Sequence, residues 1–310
     1  MTAAPFHAEL VQAPPNGKVM WQEARDGVRL RLGFWAPSNA QGTILLLPGR
    51  TEYIEKYGRV ISVLTKENYA VAVIDWRGQG YSERLTQDPF LGHVSAFSDY
   101  QIDLQALVAA TNEAGLPQPL SVISHSMGGN IALRAMSEGL DARRAVFSAP
   151  MWGIHIPVSK RLAAAVLPAL ARVSGKELEY LPGTSQTSYL VENGFEDNLL
   201  TSDKAHFEYL CALGEVAPEL ALGGPSIHWF AQAQAECSAL LDGPRPDLPV
   251  HTFYGSNEGI VAPACIRKMH ESWPGAELTV INDARHELMM EAPLPRKTFL
   301  DSALAFLNAD

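Results

Sequence analysis

Apolar positions fall along the chain in two rhythms. Short continuous apolar runs occupy residues 43–47, 70–74, 120–124, 145–148, 250–254 and 278–281. Strands buried on both faces of a parallel sheet leave runs of this kind. Between them lie stretches with helical spacing. Residues 55–66 are amphipathic, and Ser98 heads a stretch with Ile102, Leu104, Leu107 and Val108 as its apolar positions. Residues 127–138 form another, closed by Gly139. Residues 263–272 and 293–307 each open on a proline, whose fixed φ and missing N–H suit a first helical turn. Upstream, residues 18–22 and 28–34 flank Asp26-Gly27, a turn pair that predicts an antiparallel hairpin. The alternation predicts an α/β architecture: a mostly parallel eight-stranded sheet with helices on both faces.

One stretch breaks the rhythm. Residues 150–249 show helical patterns but no strand, and prolines and glycines punctuate them (Pro157, Pro168, Pro182-Gly183, Gly223-Gly224-Pro225, Gly243-Pro244). The expected organisation is a core of residues 1–149 and 250–310 interrupted by a helical lid insertion, 150–249. A chain of 310 residues that is 47% hydrophobic can bury such a core. Its net charge of −10 argues against nucleic acid, which needs a basic face. Cys211, Cys237 and Cys265 are too few and too far apart for a disulfide framework or a zinc site. Residues 1–15 carry no secretory signal, and no run approaches the ~18 apolar residues of a membrane span. A cytoplasmic protein is expected, with a peripheral contact at the inner face of the membrane left open.

Chemistry concentrates at the ends of the apolar runs. Ser124-His125-Ser126-Met127-Gly128-Gly129 follows the 120–124 run and opens the 127–138 helix. A nucleophile elbow needs this strand–turn–helix context. The serine sits on a tight turn, small neighbours two residues either side let strand and helix pass, and the helix N-terminus favours developing negative charge. Ser124 stands where glycine is usual and is small enough to serve. A base is expected after the last strand, where His286 lies, and an acid after the strand before it, where Glu258 is the sole carboxylate. Ser126, Glu258 and His286 are therefore the candidate catalytic set. His125, within the elbow, is expected to point elsewhere. Leu45-Leu46-Leu47-Pro48-Gly49-Arg50 ends the 43–47 run, and the backbone N–H groups of Arg50 and Met127 are candidate oxyanion donors. Gly78-Gln79-Gly80 lacks the third glycine of a dinucleotide loop, since position 83 is Glu, so NAD is not expected. No metal or cofactor is implied.

At these residues the chain resembles the monoacylglycerol lipase and lysophospholipase branch of the α/β-hydrolases, above all its bacterial lysophospholipases. The stretches that carry the resemblance are residues 48–57, 75–80, 92–94 with 97–100, the Ser126 elbow, 223–229 and the His286 loop. The resemblance implies the α/β-hydrolase fold, a helical lid over an acyl pocket, and hydrolysis of a small-molecule acyl ester. It supports Ser126 and His286 by position, and the Arg50 and Met127 amides as oxyanion hole. Ser124 for Gly, Pro48 for His and Glu258 for Asp depart from the branch's pattern.

For the substrate, the chain offers two open leads. Trp152, His228 and Trp229 are candidate substrate contacts. Lys160, Arg161, Arg172 and Lys176 form an acid-free basic run. That run is either a surface meeting a phosphate head group or a lipid interface, or an ordinary solvated lid face. General carboxylester hydrolysis, carbon–carbon bond hydrolysis and a catalytically dead binding protein are the competing expectations.

Overall fold

The computed structural model describes residues 1–309. Nine strands form one sheet in the order β1-β2-β3-β5-β4-β6-β7-β8-β9. They are β1 (Thr2–Ala3), β2 (Lys18–Glu23), β3 (Arg29–Trp35), β4 (Thr43–Leu47), β5 (Ala70–Asp75), β6 (Leu120–His125), β7 (Ala145–Ser148), β8 (Val250–Gly255) and β9 (Glu277–Ile281). From β5 to β9 every pairing is parallel; β1, β2 and β3 add antiparallel. The eight expected strands are all present. The ninth, β1, is two residues pairing with Trp21 and Met20, too short to leave a pattern.

Helices α1 (Gly58–Lys66) and α9 (Pro293–Leu307) cover one face of the sheet. Helices α2 (Asp99–Glu113), α3 (Met127–Ser137) and α8 (Pro263–Glu271) cover the other. Alternate side chains of one strand serve opposite layers. Ile44 and Leu46 pack with Ile61 and Phe299, while Leu45 and Leu47 pack with Leu104 and Ile131. That is why β4 reads as an unbroken apolar run. The predicted helix at 55–66 starts differently. Ile54–Tyr57 is a 3-10 turn with all four residues buried, and α1 begins only at Gly58. A turn buried all round has no polar face to set its period.

Between β7 and β8 the chain builds helices α4 (Arg161–Ser174), α5 (Tyr189–Asn193), α6 (Lys204–Val216) and α7 (Ile227–Asp242), two short 3-10 turns and isolated bridges, but no strand. Helix α7 is not peripheral. Its Trp229, Ala233, Cys237 and Leu240 join the core layer of α2 and α3. Helix α4 is the opposite case, with Ala171 its one buried residue. The cysteines are free thiols.

Candidate active site

Strand β6 ends at His125 and α3 starts at Met127, so Ser126 alone makes the turn. It does so at φ 49° and ψ −115°, a sparsely populated positive-φ conformation that costs a side-chain-bearing residue about 1–3 kcal/mol. The surroundings hold it there. Ser126 N–H donates to Ser148 O at 3.1 Å, and its carbonyl accepts from Gly129 N and Met151 N, both at 2.9 Å. Close passage needs small residues. A Cβ on Gly128 would stand 2.3 Å from Leu47 O and 2.5 Å from Pro48 O. Glycine therefore lets the first turn of α3 press against the end of β4, where Arg50 follows. Among the described residues, the backbone N–H groups of Arg50 and Met127 find no acceptor. Ser124 is fully buried in β6.

Glu258 and His286 approach from the ends of β8 and β9. Gly255 allows it: a Cβ there would lie 2.2 Å from Ala284 O. His286 Nδ1 donates to Glu258 Oε2 at 2.8 Å, with both side chains nearly sealed from solvent. The second oxygen, Oε1, accepts from the amides of Ile260 (2.7 Å) and Val261 (3.0 Å). Burial alone would raise the Glu258 carboxyl, but His286 and the two amides outweigh it and hold the group below its ordinary value. For His286, burial works to lower its pKa. The charge and hydrogen bond of Glu258, helped by Glu287 and Glu52, win and raise it above the usual histidine value. With Nδ1–H committed to Glu258, the neutral imidazole carries its free lone pair on Nε2. Asp283 lies at φ 58° with its N–H on Ser256 Oγ and makes no bond to His286.

Ser126 and His286 line one cavity of about 340 Å³, with Arg50, Glu52, His125 and Glu287. Its remaining wall is mostly apolar, from Met151, Ile154, Leu181, Trp229, Phe230 and Val261. Of the three candidate substrate contacts, the structure brings only Trp229 to this cavity. Trp152 is fully buried against Phe147 and Trp273 and donates to Gly129 O. His228 binds Ser95 O at 2.8 Å, pinning the start of α7 to the 92–95 segment.

A buried ionic cluster behind the site has no counterpart in the sequence reading. Lys56 Nζ donates to Glu52 Oε1 and Glu287 Oε1, each at 2.6 Å. Glu52 also accepts from Tyr57 OH and Gly49 N. His125 does not point away. Its ring sits 4.6 Å from that of His286, and Nδ1 is 3.0 Å from Ser148 O. Burial pushes His125 down to about 3, so it is neutral. Glu52, His125 and Glu287 bring ligand atoms within 4.8 Å of one another, as a metal site would. Here the Lys56 ammonium supplies the cation between the carboxylates. The signal was available: Glu52, Lys56 and Tyr57 lie in the 48–57 stretch that carried the family resemblance.

A mostly parallel sheet with a strained serine elbow after β6, and an acid and a histidine after its last two strands, defines an α/β-hydrolase. The chain belongs to the Hydrolase_4 family, described as serine aminopeptidase, S33, which matches residues 38–293. It is 27% identical over 296 residues to lysophospholipase L2 of Escherichia coli (strain K12), spanning 91% of this chain and 85% of that protein. It is 25% identical over 280 residues to the monoglyceride lipase of Saccharomyces cerevisiae, spanning 85% of this chain and 84% of that one. Among solved structures, a soluble variant of the yeast monoglyceride lipase, in complex with a substrate analog, superposes with a TM-score of 0.75 at 22% identity over 98% of each chain. A carboxyl esterase from Bacillus coagulans gives 0.73 at 14% identity, over 94% of this chain and 98% of that one. These two likenesses are likenesses of fold.

Proposed function

We propose that Ser126, His286 and Glu258 are the catalytic triad of an acyl lipid ester hydrolase. The observation that carries this reading is the buried His286–Glu258 pair at 2.8 Å, opening on the cavity that Ser126 lines. His286 Nε2 takes the Ser126 hydroxyl proton as Oγ attacks the ester carbonyl. The Arg50 and Met127 amides receive the oxyanion, each donor contributing about 3–4 kcal/mol by comparison with a measured serine protease. The imidazolium then protonates the leaving alcohol, and water hydrolyses the acyl-enzyme by the same route. Glu258 stays ionised throughout and stabilises the imidazolium.

The substrate is a small-molecule ester with one acyl chain, a lysophospholipid or a monoacylglycerol. The apolar wall of the cavity suits that chain, and the lysophospholipase and monoglyceride lipase relatives support the class. This chemistry asks for no metal or cofactor, and the acidic chain offers nothing to nucleic acid. Residues 150–249 act as the cap over the cavity, which Leu181, Trp229 and Phe230 line from that segment. Helix α4 is the part of the cap suited to touch a membrane. Among the described residues no helix is long and apolar enough to cross one. The protein works in the cytoplasm, with α4 against the inner face of the membrane.

The test is a fluorophosphonate probe with an ester panel. Wild type labels and turns over p-nitrophenyl butyrate and 1-monopalmitoylglycerol. Ser126→Ala loses labelling and about four to six orders of magnitude in kcat. Full labelling of the alanine variant would remove Ser126 from the mechanism. The panel includes an amino-acid p-nitroanilide, because the family carries an aminopeptidase name; turnover of that substrate and of no ester would overturn the lipid reading.

A further inference from the structure

The backbone amide of Arg50 is a proposed oxyanion donor, yet its side chain is the more unusual group. The guanidinium is enclosed where the 48–52 loop, the 90–93 segment and the start of α7 meet. Nη2 donates to Gly223 O at 2.6 Å. Nε is buried and finds no acceptor. The ring of Trp229 lies 5.2 Å from the guanidinium carbon. Gly92 leaves room for it: a Cβ there would stand 2.5 Å from Nη2. Gly223, Gly224 and Trp229, which surround it, line the Ser126 cavity together with Arg50 itself.

Among the described residues no carboxylate pairs with this charge. Burial pushes Arg50 down to about 10, and the Tyr100 phenol rather than a carboxylate acts against it. Glu52, two residues on, is spent on Lys56, Tyr57 and Gly49 N. The two arginines closed off from solvent show the ordinary arrangement: Arg31 is paired with Glu55 and Asp75, and Arg77 with Asp26 and Asp103. An unpaired cation partly withdrawn from water is costly unless something arrives to pair with it. A ring face and one carbonyl answer only part of the charge. Most N–H groups of the fork remain unspent, in a geometry that matches phosphate oxygens.

We infer that Arg50 is a specificity-determining residue that pairs with the phosphate of the lipid head group, making the substrate a lysophospholipid rather than a neutral monoacylglycerol. This rests on the acyl ester reading and narrows its substrate. It also moves head-group recognition away from the basic run of α4 and into the cavity.

The experiment has two arms. In the first, kcat/KM is measured for 1-palmitoyl-lysophosphatidylglycerol and 1-monopalmitoylglycerol under identical detergent conditions. Wild type is expected to prefer the phospholipid. In Arg50→Met the ratio of the two falls at least tenfold, and Arg50→Lys restores part of it. If Arg50 were only a tether between the loop and Gly223, both substrates would fall together and the ratio would hold; that outcome overturns the inference. The second arm uses wild type alone, so it survives a variant that fails to fold. Octyl phosphate should bind at least tenfold tighter than octanol, read by Trp229 fluorescence and by inhibition of p-nitrophenyl butyrate turnover. Inorganic phosphate should bind far more weakly than octyl phosphate. Equal binding of octyl phosphate and octanol refutes the anion site, and equal binding of inorganic and octyl phosphate refutes its assignment to a lipid. The broader ester reading fails separately, when no ester at all is turned over; the fluorescence titration still decides the anion site.

Discussion

At Glu258 one oxygen holds the amides of Ile260 and Val261 and the other holds His286 Nδ1. Glutamine keeps an oxygen for the amides but loses the charge that steadies the imidazolium. Glu258→Gln should therefore fold and lower kcat by about 10³–10⁴. The pH profile gives a second readout. His286 acts as a base only when neutral, and its pKa is raised in the folded protein. Activity thus falls as pH drops through that raised value. Removing the carboxylate charge lowers it, so the acid limb of kcat/KM in the variant should move to lower pH. An unmoved limb with near-normal kcat means another carboxylate holds the histidine. At this scale the sequence was informative where chemistry demands a residue type in a fixed local setting. Ser126 announced itself through small neighbours between an apolar run and a helix. Glu258 was the sole carboxylate in its loop. Lys56 was legible only through the resemblance over 48–57, because spacing alone makes a lysine four residues after a glutamate look like a solvated helix pair.

The Lys56 cluster matters at the scale of elements. Lys56 sits in the 3-10 turn before α1, Glu52 in the loop after β4, and Glu287 beside the base in the β9–α9 loop. One buried ammonium thus joins the loop of one proposed oxyanion donor, Arg50, to the loop of the proposed base. Lys56→Met would leave two buried carboxylates facing each other without a cation. The expected loss is about 3–5 kcal/mol, read from the urea midpoint of unfolding. A change under about 1 kcal/mol would mean the carboxylates take up protons and the ammonium is dispensable. The strands were legible because double-sided burial leaves unbroken apolar runs. Helix bounds in the insertion were not, because α7 is drawn into the core layer and α4 is left outside it. Both carry apolar residues, and only packing tells them apart.

For the whole molecule, α4 poses the question of what its apolar side meets. Leu162 is 79% exposed and Val173 90%, with Val166 and Leu170 also exposed between them at helical spacing. Lys160, Arg161 and Arg172 flank this stripe. A helix with apolar and basic residues turned outward has the makeup of an interfacial helix, and flotation tests whether α4 is one. Wild type should float with vesicles containing phosphatidylglycerol. Leu162→Glu with Val173→Glu should cut vesicle binding about tenfold while p-nitrophenyl butyrate turnover persists, since neither residue lines the cavity. Retained flotation would leave α4 as a solvated face. The order of the site along the chain has a consequence in time. Ser126 and its elbow belong to the first half, whereas Glu258 and His286 come after all of α4–α7, and His286 follows Ser126 by 160 residues. At a synthesis rate of about 5–20 residues per second, roughly 10–30 s pass between the two. Through that interval the nascent chain carries Ser126 without the proposed acid and base, so the proposed triad can be completed only after the last two strands are made.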